Sequence, residues 1–173
     1  RSVISTISPS MDIQIASNFE RLLYHMVGLS GAQVTSKMNA LDKKHEFSLG
    51  KKEGKYERDM FFGKSINDQQ ALKTIAHVYK NSGLLIDPHT ATAVAAATGL
   101  DSFIQKDHPT VCLSTAHPAK FPDAVEKATG VRPKLPDRLA SLFELEERIV
   151  CLPNELSRIK SYLLGYAKNN HHS

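Results

Sequence analysis

The chain has 173 residues, of which 41% are hydrophobic, and its formal net charge is +4. This length is within the range of a single domain with its own core. No stretch is long and apolar enough to span a membrane, so we expect no membrane association. Cys112 and Cys151 lie in short apolar runs. They are expected to be buried strand residues of an intracellular, cytoplasmic protein.

The positive charge is concentrated in one region. Residues 43–64 carry seven basic and four acidic side chains, a local excess of +3. The mixed signs of these charges are typical of a solvated surface loop rather than a nucleic-acid site. We therefore predict a surface excursion near residues 45–66 and no nucleic-acid partner.

Apolar runs and helical periodicity alternate along the chain. Three or four short strands are predicted, at residues 3–7, 111–113 and 148–152, with residues 84–86 as a brief extended piece. Helices are predicted from Ser17, at residues 31–44, 67–81, 87–98, 119–128 and 136–143, and from Asn154. A capping box is predicted at Ser17 and Glu20, and Gly83 and Gly130 are expected to end helices. This alternation predicts an α/β fold with a short, mostly parallel sheet flanked by helices.

The most informative stretch is residues 110–121, where a short apolar run ends in hydroxyls, a histidine, a proline and a lysine. Pro118 suits the first turn of a helix. Ser114, Thr115 and His117 should therefore lie where a strand gives way to a helix, which is where open α/β sheets bind ligands. The free N–H groups of the helix start suit a phosphate or carboxylate. The alternative is that Ser114 or Thr115 only caps the helix.

Four segments together resemble the threonine synthase family, in the C-terminal part of the enzyme. They occur in the family's order and approximate spacing, and the resemblance covers roughly residues 1–160. The segments are residues 8–13 (SPSMDI), 17–21 (SNFER), 87–91 (DPHTA) and 114–121 (STAHPAKF).

The resemblance implies a pyridoxal-phosphate enzyme of fold type II, a lyase that converts O-phospho-L-homoserine and water to L-threonine and phosphate. In that class a hydroxyl faces the pyridine nitrogen of the cofactor. Thr115 occupies the matching position, with Ser114 beside it as the second choice. A neutral hydroxyl does not hold a proton on the ring nitrogen as an aspartate would, so the ring is a weaker electron sink.

Other parts of the family's catalytic apparatus do not match this chain. The Schiff-base lysine and the Gly/Asn-rich loop for the cofactor phosphate are expected upstream of Arg1. We therefore expect residues 1–168 to be the C-terminal portion of the large domain, with the N-terminal portion of the same enzyme as partner. Alone, such a fragment should be inactive, and residues 169–173 are interpreted as a tail of native or engineered origin.

The candidates for binding the phosphorylated amino-acid substrate are Ser10, Asn18, His117 and Lys120. A lysine at a helix start can bind a phosphate as a point charge. The alternative for Lys120 is a solvated side chain on a first turn. His89 matches a family segment, but the sequence does not assign it a role, and a histidine bonded to backbone is the simpler interpretation.

Two other functions stay open at this point. One is a threonine synthase-like phospho-lyase that eliminates phosphate without adding water. The other is a non-catalytic α/β module that binds a phosphorylated metabolite. A metal site is not predicted, because the histidines have no partner at a spacing typical of zinc ligands.

Overall fold

The computed structural model describes residues 3–13, 15–51, 60–99 and 108–169. The chain divides into two compact units, Arg1–Lys134 and Leu135–Ser173. The first unit has five α-helices among its described residues: α1 (Ser17–Met26), α2 (Gly31–Lys44), α3 (Asp68–Ser82), α4 (Pro88–Ala97) and α5 (Pro122–Thr129). It also has two 3-10 turns, Pro9–Met11 and Pro118–Lys120. The second unit has the 3-10 turns Asp137–Leu139 and Leu142–Glu144 and the helix α6 (Leu156–Asn169).

The ends of α3 show how local sequence sets a helix. The Asn67 side chain accepts a hydrogen bond from the backbone N–H of Gln70, and the Gln70 side chain accepts one from the N–H of Asn67. This reciprocal pair is a capping box. At the other end Gly83 has a φ of 71°, a left-handed conformation that glycine adopts without a steric penalty. The helix was predicted at residues 67–81 and lies one residue later, at Asp68–Ser82, ending at Gly83 as expected.

The start of α1 differs from its prediction. Its N-cap is Ala16, and no side chain caps the helix. Ser17 is the first helical residue rather than the cap, so the predicted capping box with Glu20 is wrong. In α2, by contrast, the Ser30 side chain accepts from the N–H of Gln33 at 3.3 Å.

The core of the first unit lies where α3 packs against α4 and α5. Its buried residues are Ala71, Ile75, Ile86 and Ala91. Partly buried apolar side chains from the chain start and from α3, α4 and α5 pack around them, among them Ile7, Val78, Val94 and Ala128. The first residues of α4, Pro88, His89, Thr90 and Ala91, are buried.

The predicted sheet is wrong. None of the described residues lies in a β-strand, so the α/β assignment with a short, mostly parallel sheet does not hold for this structure. A strand needs a neighbouring strand to satisfy its backbone N–H and C=O groups, and the predicted strand segments do not pair with one another. Ile86 is buried in the helical core, whereas Val111 and Leu113 are 78% and 69% exposed.

The second unit departs from its prediction in two places. Residues 136–143 were expected to be one helix, but they contain a 3-10 turn at Asp137–Leu139 and the start of another at Leu142–Glu144. Cys151 is exposed and Cys112 is half-buried, and neither is in a strand as expected. The predicted last helix is present as α6. Within the described ranges, no helix has the length and apolarity needed to cross a membrane.

The helical core makes a direct stability prediction. Ile75 is completely buried between α3 and its neighbours. Replacing Ile75 with Ala should lower the free energy of unfolding by about 3 kcal/mol, because it removes buried methyl groups and leaves a cavity. Urea unfolding followed by circular dichroism measures this change. Lys73→Ala, at an exposed position two residues earlier on the same helix, should change it by less than about 0.5 kcal/mol. Equal losses in the two variants would contradict the assigned core.

Candidate functional site

A cavity of about 850 Å³ opens in the first unit. Its walls come from four parts of the chain: the start of the chain, the segment that leads into α3, the helix α4 and the stretch before Ala116. Both polar and apolar side chains line these walls. The residues that contribute polar side chains to the wall are Thr6, Ser8, Asp12, Lys64, Ser65, Asn67, Gln70, His89, Thr92 and Thr115.

The loop formed by residues 6–12 is closed on itself by Asp12. The backbone N–H of Thr6 donates to Asp12 Oδ2 at 2.7 Å, and the Thr6 hydroxyl donates to Asp12 Oδ1 at 2.8 Å. The Ser8 hydroxyl lies 3.1 Å from that of Thr6. Because both oxygens of Asp12 accept hydrogen bonds from Thr6, this carboxylate stabilises the conformation of the loop.

Asp68 ties the same loop to α3. Its Oδ1 accepts a hydrogen bond of 3.0 Å from the backbone N–H of Ile7. Asp68 is the first residue of α3, where a negative charge also suits the helix dipole. The loop therefore has a fixed position relative to α3.

The start of α4 is organised by the buried carboxylate of Asp87. Its Oδ2 accepts from the backbone N–H of His89 at 2.9 Å and from His89 Nδ1 at 2.8 Å. Its Oδ1 accepts from the backbone N–H of Thr90 at 3.0 Å and from the Thr90 hydroxyl. Burial by itself would raise the pKa of Asp87, but the hydrogen bonds from Thr90 and His89 outweigh burial and hold that pKa below its usual value.

His89 connects three of the sequence segments. It is 6% exposed, and its Nε2 accepts a hydrogen bond of 3.1 Å from the backbone N–H of Ser10. The ring of Phe121 lies against it, with the ring centroids 4.6 Å apart. Residues 8–13, 87–91 and 114–121, distant in sequence, thus meet around one imidazole.

Two residues proposed for the cofactor take different positions. Thr115 lines the cavity, as does His89. Ser114 does not line it, and its Oγ lies 3.5 Å from the Thr90 hydroxyl. Neither residue caps a helix. The helical turn that follows is capped by His117 instead, whose Nδ1 accepts from the backbone N–H of Ala119 at 3.1 Å.

The four substrate candidates, Ser10, Asn18, His117 and Lys120, are not among the described residues that line this cavity. Asn18 and Lys120 are exposed, on α1 and at the end of a 3-10 turn. Ser10 contributes its backbone N–H to His89, and its side chain is exposed.

The sequence analysis missed several residues of the site. Thr6, Ser8 and Asp68 support or line the cavity through hydrogen bonds that are not visible as a motif. Lys64 brings a positive charge to the cavity wall. The available signal was the run of hydroxyl and carboxyl residues between Thr6 and Asp12, which is typical of a turn stabilised by its own side chains. Among the residues that the structure describes, no three His, Cys, Asp or Glu side chains cluster as metal ligands would.

Comparison with known proteins identifies the family of this chain. Residues 90–163 match the family model described as threonine synthase, C-terminal. Threonine synthase from Pseudomonas aeruginosa is 44% identical over 159 residues, covering 91% of this chain and 34% of the relative. The chain therefore spans about a third of the length of this relative.

Solved structures agree with the sequence relatives. The crystal structure of PLP-bound threonine synthase from Brucella melitensis superposes with a TM-score of 0.81 at 39% identity, covering 97% of this chain and 36% of that one. The yeast threonine synthase structure gives a TM-score of 0.71 at 29% identity, covering 98% of this chain and 36% of that one. The chain belongs to the threonine synthase family and corresponds to its C-terminal region, as the four segments predicted.

The lowered pKa of Asp87 makes the stability of the first unit depend on pH. A carboxylate whose pKa is lower in the folded state stabilises the fold fully at a pH above its pKa in the unfolded state, which is near 3.8. That contribution is lost as the pH falls through the pKa of the folded state. Asp87→Asn should therefore cost about 2 kcal/mol at neutral pH, since an amide cannot accept all four hydrogen bonds. The difference from the unmodified protein should shrink below about pH 4.

Urea unfolding at a series of pH values tests this expectation. Asp42→Asn is the matched control, because Asp42 is an exposed carboxylate on α2. If the loss of unfolding free energy in Asp87→Asn stayed constant down to pH 2, the charge of Asp87 would not be what stabilises the fold.

Proposed function

We propose that the complete protein containing this chain is a threonine synthase, which converts O-phospho-L-homoserine and water to L-threonine and inorganic phosphate with pyridoxal phosphate. The observation that carries this proposal is the meeting of three family segments at one cavity. Residues of segments 8–13, 87–91 and 114–121 line that cavity or hydrogen bond to residues that do. The 44% identity to a threonine synthase supports it independently.

The cavity suits a small cofactor of this chemistry. Its volume is within the usual range of about 300–1,000 Å³ for small-molecule sites. Apolar side chains such as Met11, Ala93 and Leu113 offer a surface for an aromatic ring. The only carboxylate on the described wall, Asp12, is occupied by Thr6. The resemblance to the family implies a neutral hydroxyl as the partner of the ring nitrogen, and Thr115 brings a hydroxyl to this wall.

Thr115 is the hydroxyl that we assign to the pyridine nitrogen, with Ser114 as the second choice. When bound, pyridoxal phosphate supplies an electron sink for carbanion chemistry. The role of Thr115 is to bind and orient the ring through a neutral hydroxyl, which places no full charge beside the nitrogen. An aspartate at this position would hold a proton on the nitrogen, and a threonine does not.

We propose that the remaining parts of the site lie in the portion of the enzyme that this chain does not span. The N-terminal portion of the same enzyme is the proposed partner, and residues 1–168 the proposed C-terminal portion of its large domain. On the substrate side, Ser10, Asn18, His117 and Lys120 remain candidates for binding phosphohomoserine. We also infer a reducing, cytoplasmic location, because Cys112 and Cys151 are both free thiols.

The reaction is tested by product analysis on the complete protein supplied with O-phospho-L-homoserine and pyridoxal phosphate. Threonine and phosphate released in equal amounts are expected. Phosphate released without threonine would instead support a phospho-lyase. Binding of the substrate without release of either product would support a non-catalytic module.

The assignment of Thr115 is tested by substitution in the complete protein. Thr115→Ala should weaken the cofactor affinity or the turnover about tenfold, because one hydrogen bond to the ring is lost. It should not change the unfolding midpoint of the protein without cofactor. Thr115→Ser should retain most of the function. Absorbance of bound pyridoxal phosphate and threonine formation are the measurements. Thr98→Ala, an exposed position after α4, is the matched control. An unchanged spectrum and turnover in Thr115→Ala would remove this residue from the site.

A further inference from the structure

His89 is a motif residue to which the reaction assigns no role, and both of its ring nitrogens are occupied. Nδ1 is 2.8 Å from a carboxylate oxygen of Asp87, which can only accept a hydrogen bond. Nε2 faces the backbone N–H of Ser10 at 3.1 Å, which can only donate one. The two partners together require a neutral imidazole with its proton on Nδ1 and a bare Nε2.

We propose that His89 is the positioning residue that holds the turn at residues 8–12 against the start of α4, and so shapes one wall of the cavity. His89 joins the buried carboxylate of Asp87 to the loop that contains Ser10, which lies 79 residues earlier in the chain than His89. Asp87 fixes the tautomer and orientation of the ring, as second partners of functional histidines commonly do. The ring then presents Nε2 as an acceptor to the Ser10 N–H.

The surroundings of His89 support a role in positioning rather than proton transfer. A general acid or base needs a nitrogen that can reach the reacting group, and neither nitrogen of His89 is free to do so. Phe121 packs on the ring and restricts its rotation. The residues that His89 holds in place, Ser8 and Met11 among them, line the cavity.

The loop formed by residues 6–12 depends on His89 for its attachment to α4, because Asp68 attaches it to α3 instead. Asp68 holds Ile7 to α3, and His89 holds Ser10 to α4. Asp12 only closes the loop on itself through Thr6. Without the bond to Ser10, the turn of Pro9–Met11 keeps its internal closure but loses its attachment to the α4 side of the cavity.

Two substitutions separate the two bonds of the imidazole. In His89→Asn the amide nitrogen can replace Nδ1 as a donor to Asp87, but the side chain is too short to reach Ser10. In His89→Gln the longer side chain can offer an oxygen to the Ser10 N–H. His77→Asn is the matched control, because His77 is exposed on α3.

The first measurement is the tautomer of His89, by nitrogen NMR of the complete protein labelled at histidine. The His89 signal is identified by its absence in His89→Gln or, if that variant does not fold, in His89→Asn. A proton on Nδ1 with a bare Nε2 is expected at neutral pH. A proton on Nε2, or on both nitrogens, would overturn the proposal, and this measurement on the unmodified protein holds even if a variant fails to fold.

The second measurement is hydrogen exchange of the peptide that contains residues 8–12, in the same protein without substrate. Exchange should rise about tenfold in His89→Asn and stay near that of the unmodified protein in His89→Gln and His77→Asn. Equal exchange in His89→Asn and the unmodified protein would overturn the proposal.

The kinetic consequence rests on the proposed function. His89→Asn should raise the KM for O-phospho-L-homoserine about tenfold with little change in kcat, and His89→Gln should restore it. A change in kcat alone would contradict positioning. If the unmodified protein formed no threonine, the proposed function would fail, whereas the tautomer and exchange results would still decide the role of His89.

Discussion

The buried carboxylate of Asp87 is the interaction on which the candidate site depends. A charge with no exposure to solvent is costly unless hydrogen bonds replace its water, and four groups from His89 and Thr90 do so. The same bonds satisfy N–H groups that the first turn of α4 would otherwise leave without partners. One side chain therefore starts the helix, sets the tautomer of His89 and places the Thr90 hydroxyl.

From this anchor the site extends by contacts between distant segments. His89 accepts a hydrogen bond from Ser10 in the turn, and the ring of Phe121 packs on the imidazole. Asp68 attaches the same loop to α3. These contacts explain why short motifs separated by tens of residues belong to one site: each motif supplies one partner of a bond that another motif completes.

Apolar surface remains exposed in both units. Val111 and Leu113 in the first unit and Phe143, Ile149 and Leu156 in the second are among the exposed large hydrophobic residues. Such surface commonly marks contact with other protein. The chain spans 34% of its Pseudomonas aeruginosa relative, and the proposed N-terminal portion would account for an apolar surface of this kind.

The sequence by itself determined the helices with strong local signals and the family. Asn67 with Gln70, Gly83, and Asp87 followed by Pro88 specify helix ends through bonds within a few residues, so those bounds were predictable. The order of four motifs identified the threonine synthase family. The sheet was not predictable in this way, because an apolar run such as residues 111–113 becomes a strand only beside a partner strand, and the described chain offers none. Only the tertiary structure decided that His89 holds Ser10, that Thr115 lines the cavity and that Asp12 is occupied by Thr6, because bonds between distant residues leave no local pattern in the sequence.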